Sequence, residues 1–153
     1  MYFQVPAEVD FFGVGGMKVD SYPENLFKKM MEGRPDYVFL TIGGNDITSQ
    51  TSPKKIAEKL QALADRMLKD GVKKVFFTEI TERGKFRKDR RLTKKSFNAQ
   101  RSKINDTLKR QFDVVPMDVR FPRHYSSDEV HLNEEGNRKY FFAVRGVVFA
   151  LRA

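Results

Sequence analysis

Asp36-Tyr37-Val38-Phe39-Leu40-Thr41-Ile42 runs directly into Gly43-Gly44-Asn45-Asp46. The first seven residues read as a strand that is apolar on both faces, as a buried parallel strand is. The next four are turn formers, so the strand ends sharply. Similar units repeat outward from this point. Glu8 to Val14 reads as an earlier strand and ends at a Val14-Gly15-Gly16 turn. Pro23 suits the first turn of a helix that carries Leu26, Phe27, Met30 and Met31, with Gly33 to end it. Downstream, Ser52-Pro53 caps and starts a helix whose apolar residues are Ile56, Leu60, Leu63, Met67 and Leu68, closed by Gly71.

Lys74 to Ile80 is a further strand. Thr93 caps a helix with Phe97, Ile104, Leu108 and Phe112 inward, and Asp113 to Val119 is a short last strand. Asn133 caps a final helix with Glu134 and Glu135 in its first turn, where acids favour the dipole. Tyr140, Phe141, Val144, Val147, Val148 and Leu151 form its buried stripe. Strands and helices in alternation predict one α/β domain over residues 1–153, with a parallel sheet covered on both faces. Ligands in such sheets bind beyond the C-terminal ends of the strands. Gly43 to Asp46 and the Val14-Gly15-Gly16 turn both lie at such ends.

The composition narrows the chemistry. With 153 residues, 40% hydrophobic and 32% charged, the chain suits a single globular domain. No run approaches the ~20 apolar residues that a spanning helix needs, so no membrane partner is expected. The N-terminal residues show no signal peptide, which favours a cytoplasmic or nuclear location. Cysteine is absent, and the only histidines are His124 and His131. A Cys-ligated or multi-His metal site is therefore excluded within one chain, and no cofactor is expected. His124 reads as a surface or loop histidine.

The net charge of +9 is concentrated. Residues 83–110 hold twelve Lys and Arg against Asp89 and Asp106, a net +10, and the rest of the chain sums to −1. Arg87, Lys88, Arg90, Arg91, Lys94 and Lys95 are its densest part and the candidate contacts for nucleic acid or another anionic partner. The simpler reading is a solvated loop and helix face, since only Phe86 and Phe97 supply aromatics there.

Asp128-Glu129-Val130-His131 completes the picture. An acyl transfer needs a nucleophile, a base for its proton, and donors for the oxygen that becomes negative. His131 suits the base, and Asp128, three residues earlier, suits the carboxylate that fixes its tautomer. Asn45 can aim an amide into the crevice, and Gly16 can present a backbone N–H unobstructed by a Cβ. Each motif alone also reads as turn or capping chemistry. Their order, each following a strand, is more specific than any member.

By these blocks the chain resembles the SGNH, or GDSL-type, hydrolase family over nearly its whole length. Gly43-Gly44-Asn45-Asp46 matches that family's Gly-x-Asn-Asp block, Asp128 to His131 its Asp-x-x-His block, and Gly16 its oxyanion glycine. Leu132-Asn133-Glu134-Glu135-Gly136 matches the continuation common in the family. The resemblance implies a flavodoxin-like three-layer α/β/α sandwich and metal-free hydrolysis of small carboxylic esters by Ser-His-Asp chemistry. It assigns His131 and Asp128 to catalysis, Gly16 and Asn45 to the oxyanion hole, and Gly44 to substrate contact. Similar domains occur in animal retroelement-like proteins, and a non-catalytic relative binds RNA.

One block departs. The family's Gly-Asp-Ser ends its first strand and precedes the glycine block, yet no Gly-Asp-Ser occurs here. Val19-Asp20-Ser21 follows Gly16 and no strand leads into it, so Ser21 is not the nucleophile. The first strand is thus expected to be missing. The strands at 8–14 and 36–42 must then pair directly or leave open edges that invite association into oligomers. The leading expectation is a hydrolase domain whose Gly-Asp-Ser lies upstream in the parent gene, inactive as it stands. The alternative is a non-catalytic module that binds nucleic acid or another anion through residues 83–110. A nucleotide- or flavin-binding α/β domain is a third, weakened by the lack of a phosphate loop.

Overall fold

The computed structural model describes residues 4–86 and 88–152. Three strands form one parallel sheet in the order β1-β2-β3: β1 Tyr37–Leu40, β2 Lys74–Thr78 and β3 Asp113–Val115. Val38 pairs with Val75 and Phe39 with Phe76, while Phe77 pairs with Val114. Four α-helices connect and cover them: α1 Glu24–Glu32, α2 Pro53–Lys69, α3 Lys94–Lys109 and α4 Glu134–Arg152. A short 3₁₀ turn, Gly44–Asp46, follows β1.

The pleat sorts the side chains into two cores. Val38, Leu40, Val75 and Phe77 face a large cluster with Phe27 and Met30 of α1, Leu60 and Met67 of α2, and Phe97 and Ile104 of α3. Phe39, Phe76, Val115 and Met117 face the other way, onto Tyr140, Ala143, Val147 and Leu151 of α4. This is the expected three-layer α/β/α sandwich, with α1, α2 and α3 on one face and α4 on the other. Because a single helix covers the second face, its core is thin. Phe39 stacks on Phe76 at 4.7 Å but stays half-buried, and most of the α4 stripe is half-buried too.

The helix starts follow their capping residues. Ser52 accepts from the Lys55 N–H at 3.4 Å with Pro53 at the first helical position. Thr93 and Ser96 form a reciprocal capping box. The Asn133 side chain accepts from the Gly136 N–H at 2.9 Å. Gly71, at φ +111°, sits where Val72 N–H reaches back to the Met67 carbonyl at 3.1 Å and closes α2.

Several expectations are corrected. Residues 8–14 form no strand. Among the described residues no strand lies between them and β1, so they have no ladder to join. They run as irregular chain instead, pinned by Phe12 against the large core and Phe11 against Phe141. They do not pair directly with β1, which is left as an edge strand among the described residues. Leu68 is exposed, since it falls one residue off the stripe that Met67 completes. Phe112 lies beyond the end of α3, although it still packs edge-on to Phe77. His124 is in a turn but is buried, at 3% exposure, with its Nδ1 accepting the Arg120 N–H at 2.7 Å. All three strands also end earlier than their apolar runs, at Leu40, Thr78 and Val115.

Candidate active site

Every strand ends at one edge of the sheet, and the loops that leave there build a single cleft of about 440 Å³. Phe12, Gly13, Val14 and Met17 come from the N-terminal segment. Thr41, Gly43, Gly44 and Asn45 follow β1, and Thr81 and Arg83 follow β2. Val130, His131, Tyr140 and Phe141 close it from the C-terminal loop and α4. Segments about a hundred residues apart thus meet, because parallel strands present the same end to the same side.

The C-terminal loop is built around Asp128. Its Oδ1 accepts the backbone N–H groups of Val130 and His131, both at 2.9 Å, and the Ser126 hydroxyl at 2.8 Å. Its Oδ2 lies 2.5 Å from Nδ1 of His131. These contacts, the imidazole first, hold the Asp128 carboxyl well below the usual carboxylate range. An ionised Asp128 at Nδ1 keeps that nitrogen protonated in the neutral ring, so Nε2 is left with its lone pair. The ring is 80% exposed, so Nε2 is reachable by solvent and ligand.

The Asn45 carboxamide is fixed from both sides. Its Nδ2 donates to the Met17 carbonyl at 3.0 Å, and its Oδ1 accepts from Nη2 of Arg83 at 3.0 Å. A carbonyl on one side and a guanidinium on the other allow only one amide orientation, and the second Nδ2 hydrogen is left over. Asp46 is buried beside it and accepts the N–H groups of Val19 at 3.0 Å and Asp20 at 3.2 Å. The Gly-Gly-Asn-Asp block therefore holds the 14–20 segment in place with both of its polar side chains.

Gly16 takes φ +71° in a turn closed by Met17 N–H on the Val14 carbonyl at 3.1 Å. A Cβ there meets nothing within 4 Å, so the backbone angle, not space, calls for glycine. Gly16 is exposed and does not itself line the cleft, although Val14 and Met17 on either side of it do. Gly44 does line it, and the guanidinium of Arg83 fills its side-chain space: a Cβ would lie 2.8 Å from Nη2. Ser21 is exposed and apart from the cleft lining. The hydroxyls that border the cleft belong to Thr41, Thr78, Thr81 and Tyr140. Tyr140 pairs with Thr41 at 2.6 Å and Thr78 donates to Thr41 at 3.0 Å.

The basic segment divides. Lys88, Arg90, Arg91, Lys94 and Lys95 are exposed, and Lys94 lies over the Phe121 ring at 3.9 Å. Arg87 lies outside the described residues. Arg101 is instead tied into the fold, donating to the Ile80 carbonyl at 3.1 Å and to Glu82 at 3.3 Å. Arg83 belongs to the cleft. Sequence reasoning missed this, because a single arginine in a basic run carries no mark of facing inward. No group of acids and histidines suited to a metal ion occurs among the described residues.

Comparison with known proteins gives one family and a consistent set of folds. The sequence profile of the GDSL-like lipase/acylhydrolase family matches residues 3–139. No curated protein matches the chain by sequence. Among solved structures, a GDSL-like lipase from Bacteroides thetaiotaomicron is similar with TM-score 0.68 at 16% identity, over 89% of this chain and 73% of its own. A lipase/acylhydrolase from Enterococcus faecalis is similar with TM-score 0.70 at 15% identity, over 88% and 72%. A carbohydrate esterase family 3 protein from Talaromyces cellulolyticus is similar with TM-score 0.69 at 16% identity, over 89% and 68%.

Proposed function

The chain belongs to the GDSL-like lipase/acylhydrolase family, and from that premise we propose that its cleft is the acyl-transfer site of an SGNH-type esterase that lacks its serine. The observation that carries this reading is the Asp128–His131 pair at 2.5 Å bordering the same cleft as the oriented amide of Asn45. In this reading Nε2 of His131 takes the proton of an attacking hydroxyl or water, and Asp128 stabilises the imidazolium that forms. The free hydrogen of Asn45 Nδ2 meets the developing oxyanion, while Gly16, outside the cleft lining, shapes the turn that carries Val14 and Met17 into it. Such a donor is worth about 3 kcal/mol of barrier. Gly44 sits against the substrate. The substrate is a small carboxylic ester, and no metal or cofactor takes part.

The nucleophile is the part without a candidate. No Gly-Asp-Ser occurs in the sequence, and no serine is among the described residues that line the cleft. The chain by itself is therefore a slow catalyst at best. Treatment with a serine-directed fluorophosphonate tests this: no stoichiometric label is expected, and one label per chain contradicts the reading.

A second reading rests on the exposed cations Lys88, Arg90, Arg91, Lys94 and Lys95. They make residues 83–110 a candidate surface for nucleic acid. Binding to single-stranded RNA measured from about 50 to 200 mM salt is expected to weaken steeply as counterions compete. A flat response argues against phosphate contact.

A further inference from the structure

The cleft holds a cation that acyl-transfer chemistry does not require. Most of the Arg83 side chain is out of water, and burial pulls its pKa down from the usual arginine value. A buried charge is costly unless it is paired. Nη2 donates to Oδ1 of Asn45 at 3.0 Å, and the guanidinium carbon lies 5.6 Å from the Phe97 ring centre. A guanidinium has five N–H donors, and Asn45 takes one. Among the described residues no carboxylate forms an ion pair with it. Glu79, a carboxylate that also lines the cleft, accepts the Met117 N–H at 3.3 Å instead. A planar fork with donors to spare thus lies against Gly44, beside the amide proposed as an oxyanion donor, with no ion-pair partner among the described residues.

We propose that Arg83 and Asn45 together form a carboxylate-binding subsite, so that the cleft takes small anionic ligands: short-chain acids, or esters that carry an acid group. The guanidinium supplies the paired donors that suit a carboxylate's two oxygens. Phe12, Val14, Met17, Met117 and Phe141 supply apolar wall for a short chain. A site so charged holds the acid product of acyl transfer more tightly than the neutral ester. The role given to Asn45 rests on the acyl-hydrolase reading above, and the test separates the two.

Titration of the whole chain with sodium butyrate, butyramide and methyl butyrate, followed by ¹H–¹⁵N NMR, decides it. Butyrate is expected to shift the Asn45 side-chain NH₂, the Arg83 Nε–H and the His131 amide saturably, with butyramide at least tenfold weaker. Arg83→Met is expected to weaken butyrate at least tenfold. Arg83→Gln, which keeps polarity without charge, guards against a folding defect and is expected to do the same. Butyrate binding unchanged in both variants, or butyramide binding as tightly as butyrate, overturns the subsite and leaves the acyl-hydrolase reading intact. If none of the three ligands moves Asn45 or His131, the subsite and that reading fall together.

Discussion

Asp128 shows how one side chain organises a loop and a base at once. Its carboxylate holds three loop groups and the imidazole, and its pKa lies below that of an unfolded aspartate, near 3.9. Ionised Asp128 therefore stabilises the folded loop above about pH 4, and that contribution is lost as pH falls through the depressed value. We predict that Asp128→Asn lowers the urea midpoint at about pH 6 and that the gap to the parent protein narrows at about pH 2.5. An equal gap at both pH values contradicts this. The pair was legible in the sequence because i, i+3 spacing brings two side chains together within a turn. Arg83 and His124 were not legible. Each is placed by distant chain, Arg83 on Gly44 and His124 under α4, and no local pattern marks such contacts.

At the scale of elements, the period of apolar residues predicted every helix and the three strands that pair, because burial dictates that period. It failed at residues 8–14, where the residues are strand-like but no partner strand lies beside them among the described residues. Composition proposes a strand, whereas a ladder needs a neighbour. The consequence is an edge at β1. We expect the amides of β1 to exchange with deuterium faster than those of β2, which is bonded on both sides. Equal protection of the two strands means that the edge is covered. The start of α4 is set by backbone approach: a Cβ on Gly136 would lie 2.3 Å from the His124 carbonyl oxygen. Gly136→Ala is expected to cost about 1–3 kcal/mol in chemical denaturation. An unchanged midpoint shows that α4 shifts freely. Asp46→Ala leaves the Val19 and Asp20 N–H groups unpaired, so amides from Met17 to Asp20 are expected to exchange faster while the sheet stays protected.

For the whole molecule, the parallel topology does the gathering. Strands that all run one way deliver the Gly-Gly-Asn-Asp turn and the loops that follow β2 and β3 to one edge, where the irregular N-terminal segment joins them; the sequence anticipated the meeting from strand ends, although residues 8–14 reach it without a strand. The cleft's walls and its charge were not anticipated, because they depend on which loop side chains fold inward. The account's central claim is that His131 and Asn45 act on one carbonyl although the serine is lacking. Sites stripped of triad members keep a residual rate, on the order of 10³-fold over water. The most direct test is p-nitrophenyl butyrate hydrolysis by the chain, by His131→Ala, by Asn45→Ala and by the double variant. Groups that act as a unit are non-additive, so each single change is expected to remove most of the slow rate and the double change little more. A slow rate untouched by either substitution, or losses that multiply independently, contradicts the claim.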